Sequence, residues 1–370
     1  MSVRSHLAGR ALTLGDPERT PVPARTTLVL HERGWVRSAH RSRARGIRAP
    51  LSHKTRPVDE YEIRRVPILR AATLGATGRD GIADGTERVR RGLYVPATAW
   101  PTKEREARHF IRMQAVVAST AVPPVFSHRS AAVLWGIPVI GPLGHVHITA
   151  AARVGVRSQR RSVWHNDAIA DDDIVTLDGF TVTSLERTLI DVACTASFPA
   201  GVAAIDFGLR SVFVTPLGTP VRGADAEELR ERADAAVGCR GIRTARSAIA
   251  FGDPRSGSPG ESASRANMHV MRFPPPELQV PFRREDGGHD IVDFDWPDHG
   301  AFGECDGEIK YTDARYMNGR SPDQVLLDER ERERRVRRYR PNAIRWGWDV
   351  AISAPRLARR LIHHGLHPLP

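Results

Sequence analysis

Helical and strand-like patterns of apolar residues occupy different parts of this chain. Residues 102–250 carry mainly helical patterns, in which KEREARHFIRMQAVVAST, HRSAAVLWG and TVTSLERTLIDVACTA repeat apolar positions at intervals of three and four. Ser127 predicts an N-cap for the second helix, and Thr183 with Glu186 predicts a capping box for the third. The alternating segment HVHITAA predicts a strand among these helices.

The pattern from residue 258 onward mixes helices and strands. The letters SPGE predict a helix start, with the serine as N-cap and Glu261 at position N3. PELQVPF, HDIVDFDW and AFGECDG read as strands, and PDHG at 297–300 predicts a hairpin turn between the last two. A long charged helix then precedes AIRWGWDV, a strand on which Trp346 and Trp348 are expected in the core.

The chain therefore divides into four predicted segments. Residues 1–57 lack a sustained period and predict a disordered basic tail, either an arm that grips phosphates or a segment without a role. In residues 58–100, IRRVPILRAATLG predicts a helix and VRRGLYVP a strand, as a truncated winged-helix-like module or an ordinary edge strand would have. Residues 101–252 form the mainly helical middle region, and GDPRSGSPG opens the last segment, 253–370. We expect an α/β fold of the α+β type.

Composition narrows the classes of function only slightly. The chain has 370 residues, no apolar run of membrane-spanning length, and three cysteines without paired spacing, so a protein of the reducing cytoplasm is expected, with no membrane partner. The net charge is +12, but residues 1–57 carry +9 of it. Charge alone therefore does not predict that the folded part binds nucleic acid.

The hairpin around 297–300 carries the first candidate chemistry. Pairing outward from the turn places Asp293 opposite Glu304, and strand alternation then puts four carboxylates on one face. These are Asp293, Asp295, Glu304 and Asp306, while Val292, Phe294 and Trp296 are predicted on the other face. Like charges opposite one another destabilise a sheet, so the acidic face requires a counter-ion. A hard divalent cation such as Mg²⁺ is one solution, and a solvated acidic surface is the alternative.

The charged helix PDQVLLDERERERRVRRYR adds a second set of candidates. Helical phase directs Glu329 and Arg332 toward the sheet, where they either pair with each other or line a polar site. The outward-facing arginines give a basic surface, and together with Arg332 they are candidates for contacts with a DNA backbone. The nucleic-acid candidates are Arg332, Arg334, Arg335 and Arg338.

Six stretches of residues 254–350 carry a resemblance to a known family. SPGESASR, PPPELQ, VDFDWP, GECDGEIKY, ERERERRVR and IRWGW resemble the C-terminal domain of a large actinobacterial family, which is similar to very-short-patch-repair endonucleases of the PD-(D/E)xK nuclease superfamily. SHRSAAVLWGIP, VHIT, TVTSLERTLIDVA and AIDFGLR resemble the AbiEi-like antitoxin region of type IV toxin–antitoxin systems. The resemblance implies a restriction-endonuclease-like mixed sheet flanked by helices in the last segment.

The resemblance also implies roles for individual residues. Glu261 is the helix acid near a metal, and Asp293 and Glu304 are the metal ligands, with Mg²⁺ as the cofactor and Mn²⁺ able to substitute. The lysine of the (D/E)xK pattern falls on Asp306, whereas Lys310 stands a few residues later. Lys310 reaches the site only if the chain folds back at Asp306 and the glycine after it.

Three functions follow from these patterns. The first is metal-dependent endonucleolytic cleavage of DNA, with Asp293, Glu304, Lys310, Glu261 and Asp306 as the catalytic set. The second is an antitoxin-like DNA-binding regulator with a cognate toxin and an inactive nuclease fold. The third is an adaptor whose acidic site is structural.

Overall fold

The fold is described from a computed structural model that covers most of the chain. The described residues are 63–73, 85–102, 104–149, 161–166, 168–306 and 321–370. All of them belong to one compact unit. The predicted basic tail, residues 1–57, and Lys310 lie outside the described residues. The predicted α+β class is confirmed, and none of the helices in the described ranges has the length and apolar character needed to cross a membrane.

The first described segment is a small sheet rather than a helix and a strand. Strands β1 (Leu69–Arg70), β2 (Thr86–Arg90) and β3 (Leu93–Pro96) pair antiparallel in the order β1-β3-β2. The helix predicted over IRRVPILRAATLG is therefore wrong for its described part, where β1 is followed by a short 3₁₀ turn. The apolar positions that suggested helical spacing, Val66 and Ile68, instead pack with Val89 and Val95.

The middle region is mainly helical, as predicted, but it also holds a five-stranded sheet. The helices are α1 (Arg105–Ser119), α2 (His128–Trp135), α3 (Leu185–Thr195), α4 (Phe198–Gly208), α5 (Ala226–Ala235) and α6 (Ile242–Phe251). The strands are β4 (Val125–Phe126), β5 (Val146–Thr149), β6 (Ser162–His165), β7 (Ile174–Leu177) and β8 (Phe180–Thr183), in the order β6-β5-β4-β8-β7. A two-stranded ribbon, β9 (Val212–Val214) and β10 (Pro220–Arg222), follows α4.

One helix start in this region differs from its prediction by a single residue. The N-cap of α3 is Ser184, whose side chain accepts a hydrogen bond from the Arg187 backbone N–H. Thr183 is the last residue of β8, so its backbone belongs to the sheet and its hydroxyl bonds Thr188 instead. Two capping-type residues in succession made the helix start ambiguous.

The last segment is a mixed sheet flanked by helices. Helix α7 (Pro259–Val270) is followed by strands β11 (Glu277–Arg283), β12 (His289–Trp296) and β13 (Ala301–Asp306), then by helix α8 (Pro322–Val336), strand β14 (Asn342–Gly347), and helices α9 (Trp348–Ala351) and α10 (Ala354–His363). The strand order is β11-β12-β13-β14. The first three strands are antiparallel, and β14 runs parallel to β13.

A buried ion pair fixes α7 against the middle region. Arg265 of α7 donates through Nη2 to both carboxylate oxygens of Asp206 on α4, each at 3.0 Å. The backbone N–H of Asp253, in the turn after α6, donates to the same carboxylate at 2.7 Å. The predicted boundary at GDPRSGSPG is thus a turn whose two sides are held together by a buried charge pair.

Helices cover both faces of the mixed sheet. On one face, Phe294, Trp296 and Trp346 form a buried cluster with residues of α7 and α10, so Trp346 is in the core as predicted. Trp348 is not, because it begins the short helix α9 and is 38% exposed. Gly303 lies in this layer without a side chain because an added Cβ would come within 2.7 Å of the Trp346 ring.

Alternation along β12 breaks at Asp293. Val292 packs with Phe302 and Val336 of α8, in a cluster separate from the one that holds Phe294 and Trp296. The predicted common face for Val292 and those two aromatic residues is therefore wrong. The cause lies in the neighbouring strand, where Gln279 has a left-handed φ of +53° and interrupts the β11–β12 ladder opposite Asp293.

Candidate functional site

The candidate site lies where β12 and β13 stop pairing. Their ladder follows the predicted register, with Trp296 opposite Ala301 and Phe294 opposite Gly303. Beyond that pair, among the described residues, β12 continues beside β11 and β13 continues beside β14. We call the divergent part the seam, formed by residues 291–293 of β12 and 304–306 of β13.

Helix α7 brings Glu261 to one side of the seam. The predicted cap is confirmed: Ser258 Oγ accepts from the Glu261 N–H at 3.1 Å, and Glu261 Oε2 accepts from the Gly257 N–H at 2.8 Å. The start of α7 packs directly on β13, since a Cβ added at Gly260 would lie 2.7 Å from Cys305 Sγ. Glu261 is therefore both a capping residue and a neighbour of the seam.

Gln279 links Glu261 with Asp293. Its Nε2 donates to Glu261 Oε2 at 2.9 Å and to Asp293 Oδ1 at 3.3 Å. Asp293 is 2% exposed, and its other oxygen accepts from the Cys305 backbone N–H at 3.0 Å, across the gap between β12 and β13. The ladder irregularity at Gln279 thus turns Asp293 toward Glu261, rather than toward the other carboxylates of the predicted acidic face.

Glu304, on the other side of the seam, is fully buried and forms an ion pair with Arg332 of α8. Arg332 Nη1 donates to Glu304 Oε1 at 2.9 Å, and Nη2 donates to Oε2 at 2.6 Å. Glu329, one turn earlier on α8, accepts from the same guanidinium at 2.8 and 3.2 Å. The inward direction predicted for Glu329 and Arg332 from helical phase is confirmed, and the two do pair.

A second arginine joins this group from β14. Arg345 is the register partner of Glu304 on the parallel neighbour strand. Its guanidinium lies 3.0 Å from Glu329 and 3.4 Å from Asp306, and it also contacts Glu333 at 3.0 Å. Two arginines therefore stand among the carboxylates of β13 and α8.

Three carboxylates of this group are close enough to share one ion. One oxygen each from Glu304, Asp306 and Glu329 lies within 4.8 Å of the others. Carboxylate oxygens are the ligands that Mg²⁺ and Ca²⁺ take, at about 2.0–2.6 Å from the metal. Only Glu304 of the predicted metal pair belongs to the trio, and Asp293 does not.

Two further acidic residues of β12 are neutralised by arginine: Asp295 of the predicted acidic face, and Asp290, which the sequence did not single out. Asp295 is bound through both oxygens by Arg340, at 2.7 and 2.9 Å. Asp290 is bound in the same way by Arg335, at 2.7 and 2.9 Å. Of the four carboxylates on the predicted acidic face, Asp295, Glu304 and Asp306 therefore have a guanidinium as counter-ion. Asp293 instead accepts hydrogen bonds from Gln279 and from the Cys305 backbone N–H.

Burial and the charges around the seam determine the protonation state of Cys305. Burial raises the pKa of its thiol, and the nearby charges of Glu261 and Asp293 raise it further. The thiol is therefore protonated at neutral pH and is neither a nucleophile nor a thiolate ligand. For Arg332, burial opposes the charged form, but the hydrogen bonds and charge of Glu304 and Glu329 outweigh it and raise its pKa.

The predicted nucleic-acid arginines fall into different environments. Arg332 points into the seam with its side chain only 14% exposed. Arg335 is half-buried against Asp290, and Arg338 is exposed beside Glu285 at 2.8 Å. Arg334 is exposed and has no ion-pair partner among the described residues. The turn needed by Lys310 lies outside the described residues.

Sequence reasoning did not single out two residues that contact the seam. Gln279 belongs to PELQVPF and Arg345 to AIRWGWDV, which were predicted as strands without a role for either residue. An available signal for Arg345 was a charged residue amid the apolar letters of a predicted inner strand. No comparable signal marks Gln279, because its role depends on a local backbone irregularity.

A second group of buried polar side chains lies in the middle region. His109 of α1 has its Nδ1 3.3 Å from the Leu143 carbonyl oxygen and its Nε2 2.9 Å from Ser130 Oγ. A carbonyl can only accept, so Nδ1 carries the hydrogen and Nε2 accepts from the serine hydroxyl. Burial lowers the pKa of His109 to about 4, with nearby arginines adding to the effect.

Three further histidines stack beside it. The ring centroids of His128 and His165 are 3.6 Å apart, and those of His165 and His147 are 5.2 Å apart. His147 Nδ1 and His165 Nε2 lie 3.0 Å apart, and His128 Nδ1 lies 3.5 Å from Asp191. Burial and the charge of His165 lower the pKa of His147 to about 3, so the His147 imidazole is neutral at pH 7.

Comparison with known proteins places the chain near two curated relatives. Both are uncharacterized proteins of Mycobacterium tuberculosis, MT2308 from strain CDC 1551 / Oshkosh and Rv2248 from strain H37Rv. Each is 32% identical over 161 residues, which is 44% of this chain and 48% of the relative. The chain thus spans about half the length of the curated relatives it matches. No protein-family model matches the chain, and no solved structure matches it with significance.

Proposed function

We propose that this protein is a metal-dependent DNA endonuclease of the very-short-patch-repair-like type, acting in the cytoplasm. One observation carries the proposal: each of the six stretches that resemble the PD-(D/E)xK superfamily contributes a polar side chain that lies in the seam or beside it. These side chains are Glu261, Gln279, Asp293, Glu304, Arg332 and Arg345. These side chains meet at the open end of the hairpin in two groups, Glu261, Gln279 and Asp293 on the α7 side and Glu304, Arg332 and Arg345 on the α8 side.

The donor chemistry of the seam fits a hard cation. Glu304, Asp306 and Glu329 would hold Mg²⁺, or Mn²⁺ in its place, through carboxylate oxygens that already lie within 4.8 Å of one another. When bound, such an ion polarises a phosphate oxygen and lowers the pKa of a coordinated water. Arg332 fixes the orientation of Glu304, and Arg345 balances part of the charge of Asp306 and Glu329.

The remaining predicted residues take supporting roles in this proposal. Asp293 and Glu261 form an acidic pair on the α7 side of the seam, bridged by Gln279. Lys310 stays the sequence-based candidate for a cation that stabilises charge on the phosphate. Arg334 and Arg338 are exposed at the end of α8 and would contact the DNA backbone, with Arg335 behind them.

A second function, DNA binding without cleavage, is favoured by a specific feature of the seam. Both oxygens of Glu304 are bound by Arg332, and Asp306 stands where the resemblance expects a lysine. A regulator of the antitoxin-like type, with a toxin partner, would use the nuclease fold in this neutralised form. It would bind its own promoter in a salt-sensitive manner and without a metal requirement.

The test of the endonuclease is nicking of duplex, mismatched and single-stranded DNA with Mg²⁺ or Mn²⁺. We expect cleavage that is abolished by EDTA and by Glu304→Gln. Asp295→Asn is the matched control, because Asp295 is an equally buried acid paired with arginine on the same sheet but outside the seam. Both variants should be checked by circular dichroism, since both leave an arginine partly unpaired.

Two results would count against the endonuclease. Purified protein that leaves all three kinds of DNA intact with either metal removes the main support for cleavage. A gel shift that is unchanged by EDTA, on promoter DNA, would then favour the regulator.

A further inference from the structure

Arg332 is the most completely bonded charged group of the seam. A guanidinium has five N–H donors, and all five of Arg332 are used. Nε donates to Glu329 Oε2, Nη1 to Glu304 Oε1 and to the Ile291 carbonyl, and Nη2 to Glu304 Oε2 and Glu329 Oε1, over 2.6–3.2 Å. Because all of its donors are used within the protein, Arg332 is not available for a contact with the DNA backbone.

The contact with Ile291 shows where this guanidinium lies. Ile291 belongs to β12 and Glu304 to β13, and the two strands no longer pair at this level. Nη1 of Arg332 bonds both, at 2.9 Å each, so the guanidinium bridges the gap from the side of α8. It supplies a charged link at the level where the β12–β13 ladder has ended.

We infer that Arg332 is a positioning residue of the seam, which orients Glu304 for the reaction and sets the affinity of the carboxylates for a divalent cation. The inference rests on the proposed function for its role in hydrolysis. The chemical reason is that Asp306 stands where the resemblance expects a lysine, so β13 has no positive charge at that position. Arg332 of α8 instead places a fixed positive charge beside Glu304. A planar fork can hold both oxygens of Glu304, which a lysine ammonium cannot do.

The sign of the effect on metal affinity follows from electrostatics. A cation and a divalent metal compete for the same carboxylate oxygens, and a unit charge at about 4 Å interacts strongly even at an effective dielectric constant near 20. Removing the charge of Arg332 should therefore tighten metal binding, by about tenfold or more. Removing it should also slow hydrolysis, because Glu304 loses the two bonds that orient it.

Arg340 provides a matched control. It binds both oxygens of Asp295, a buried acid of β12, as Arg332 binds Glu304. Asp295, however, faces Phe302 where the β12–β13 ladder is intact. Arg340→Gln should lower the melting temperature, as Arg332→Gln should, but it should change neither metal affinity nor cleavage by the folded protein.

The experiment measures Mn²⁺ affinity and DNA cleavage with the full chain, at a temperature where every variant is folded. Arg332→Gln keeps hydrogen-bonding groups without the charge, and we expect Mn²⁺ affinity to rise at least about tenfold while cleavage falls. Arg332→Lys keeps the charge without the fork, so its Mn²⁺ affinity should stay within about threefold of the parent, while cleavage falls. If Arg332→Gln does not fold, the Arg332→Lys comparison still decides the positioning role.

The outcomes separate this inference from the proposed function. Equal Mn²⁺ affinity in the parent and in Arg332→Gln, or an Arg332→Lys protein that cleaves like the parent, would overturn the inference. Absence of Mn²⁺ binding in both the parent and Arg332→Gln would overturn it as well. A parent protein that binds Mn²⁺ and never cleaves DNA would instead defeat the endonuclease, while the shift in affinity still reports on Arg332.

Discussion

His109 makes the stability of this protein depend on pH in a way that can be worked out from its surroundings. In the folded state its pKa is about 4, whereas an unfolded chain gives histidine a pKa of about 6.5. The unfolded chain therefore binds a proton between these values and the folded protein does not. The contribution of His109 to the free energy of unfolding is therefore fully present above pH 6.5, and it is lost as the pH drops toward 4.

The magnitude follows from the same two values. Between pH 8 and pH 5 the unfolded state gains about 2 kcal/mol from protonation of this one residue, and the folded state gains almost nothing. That is a large fraction of the roughly 5–15 kcal/mol by which domains are stable. His147, whose folded pKa is about 3, adds a loss in the same direction.

The assay is urea unfolding, followed by circular dichroism at pH 8 and pH 5. His109→Gln can still donate to the Leu143 carbonyl and accept from Ser130, but it cannot titrate. We expect its loss of stability between the two pH values to be about 2 kcal/mol smaller than that of the parent. His367→Gln is the control, since His367 is exposed and should leave the loss unchanged. Equal losses in the parent and in His109→Gln would refute the reasoning.

Three further predictions concern packing and the buried charges. Gly303→Ala should destabilise the protein by about 1–3 kcal/mol in urea unfolding, because its Cβ would meet two tryptophan rings at 2.7–2.9 Å. Asp206→Ala should lower the free energy of unfolding by about 3–5 kcal/mol, because it leaves Arg265 buried without its carboxylate. Asp253→Ala should lower it less, because the partner of Asp253, Arg255, is exposed. Cys305 should react with a thiol reagent at pH 8 only after unfolding, and rapid labelling of the native protein would contradict its burial and raised pKa.

The hairpin shows how much of the site the sequence could predict. A four-residue turn of turn-forming residues between two strands determines the register, so the pairs Trp296–Ala301 and Phe294–Gly303 could be derived and are confirmed. The inward direction of Glu329 and Arg332 followed from helical phase in the same way. These are local periodicities, and they need only the identity of the element.

Asp293 shows where that reasoning stops. Period-two alternation placed it on the face of Asp295 and Glu304, whereas its contacts are with Gln279 and the backbone of Cys305. The deciding feature is a positive φ at Gln279, in a neighbouring strand 14 residues earlier. A positive φ is uncommon for glutamine, so this irregularity could not be deduced from the residue type. The helix predicted over residues 63–75 was wrong for a related reason, because the spacing of apolar residues alone did not distinguish a helix from paired strands.

The counter-ion argument changes what a metal requirement would mean for this protein. The sequence predicted that opposed carboxylates on a sheet require a counter-ion, for which a divalent cation was one solution. In the structure, Asp290, Asp295 and Glu304 each have an arginine that lies on or just after α8 and binds both carboxylate oxygens. Stability of the sheet therefore does not imply a metal, and a dependence on Mg²⁺ would have to come from the reaction itself. Removal of divalent ions should consequently leave the melting temperature nearly unchanged while abolishing cleavage, and a large drop in melting temperature with EDTA would show instead that the ion is structural.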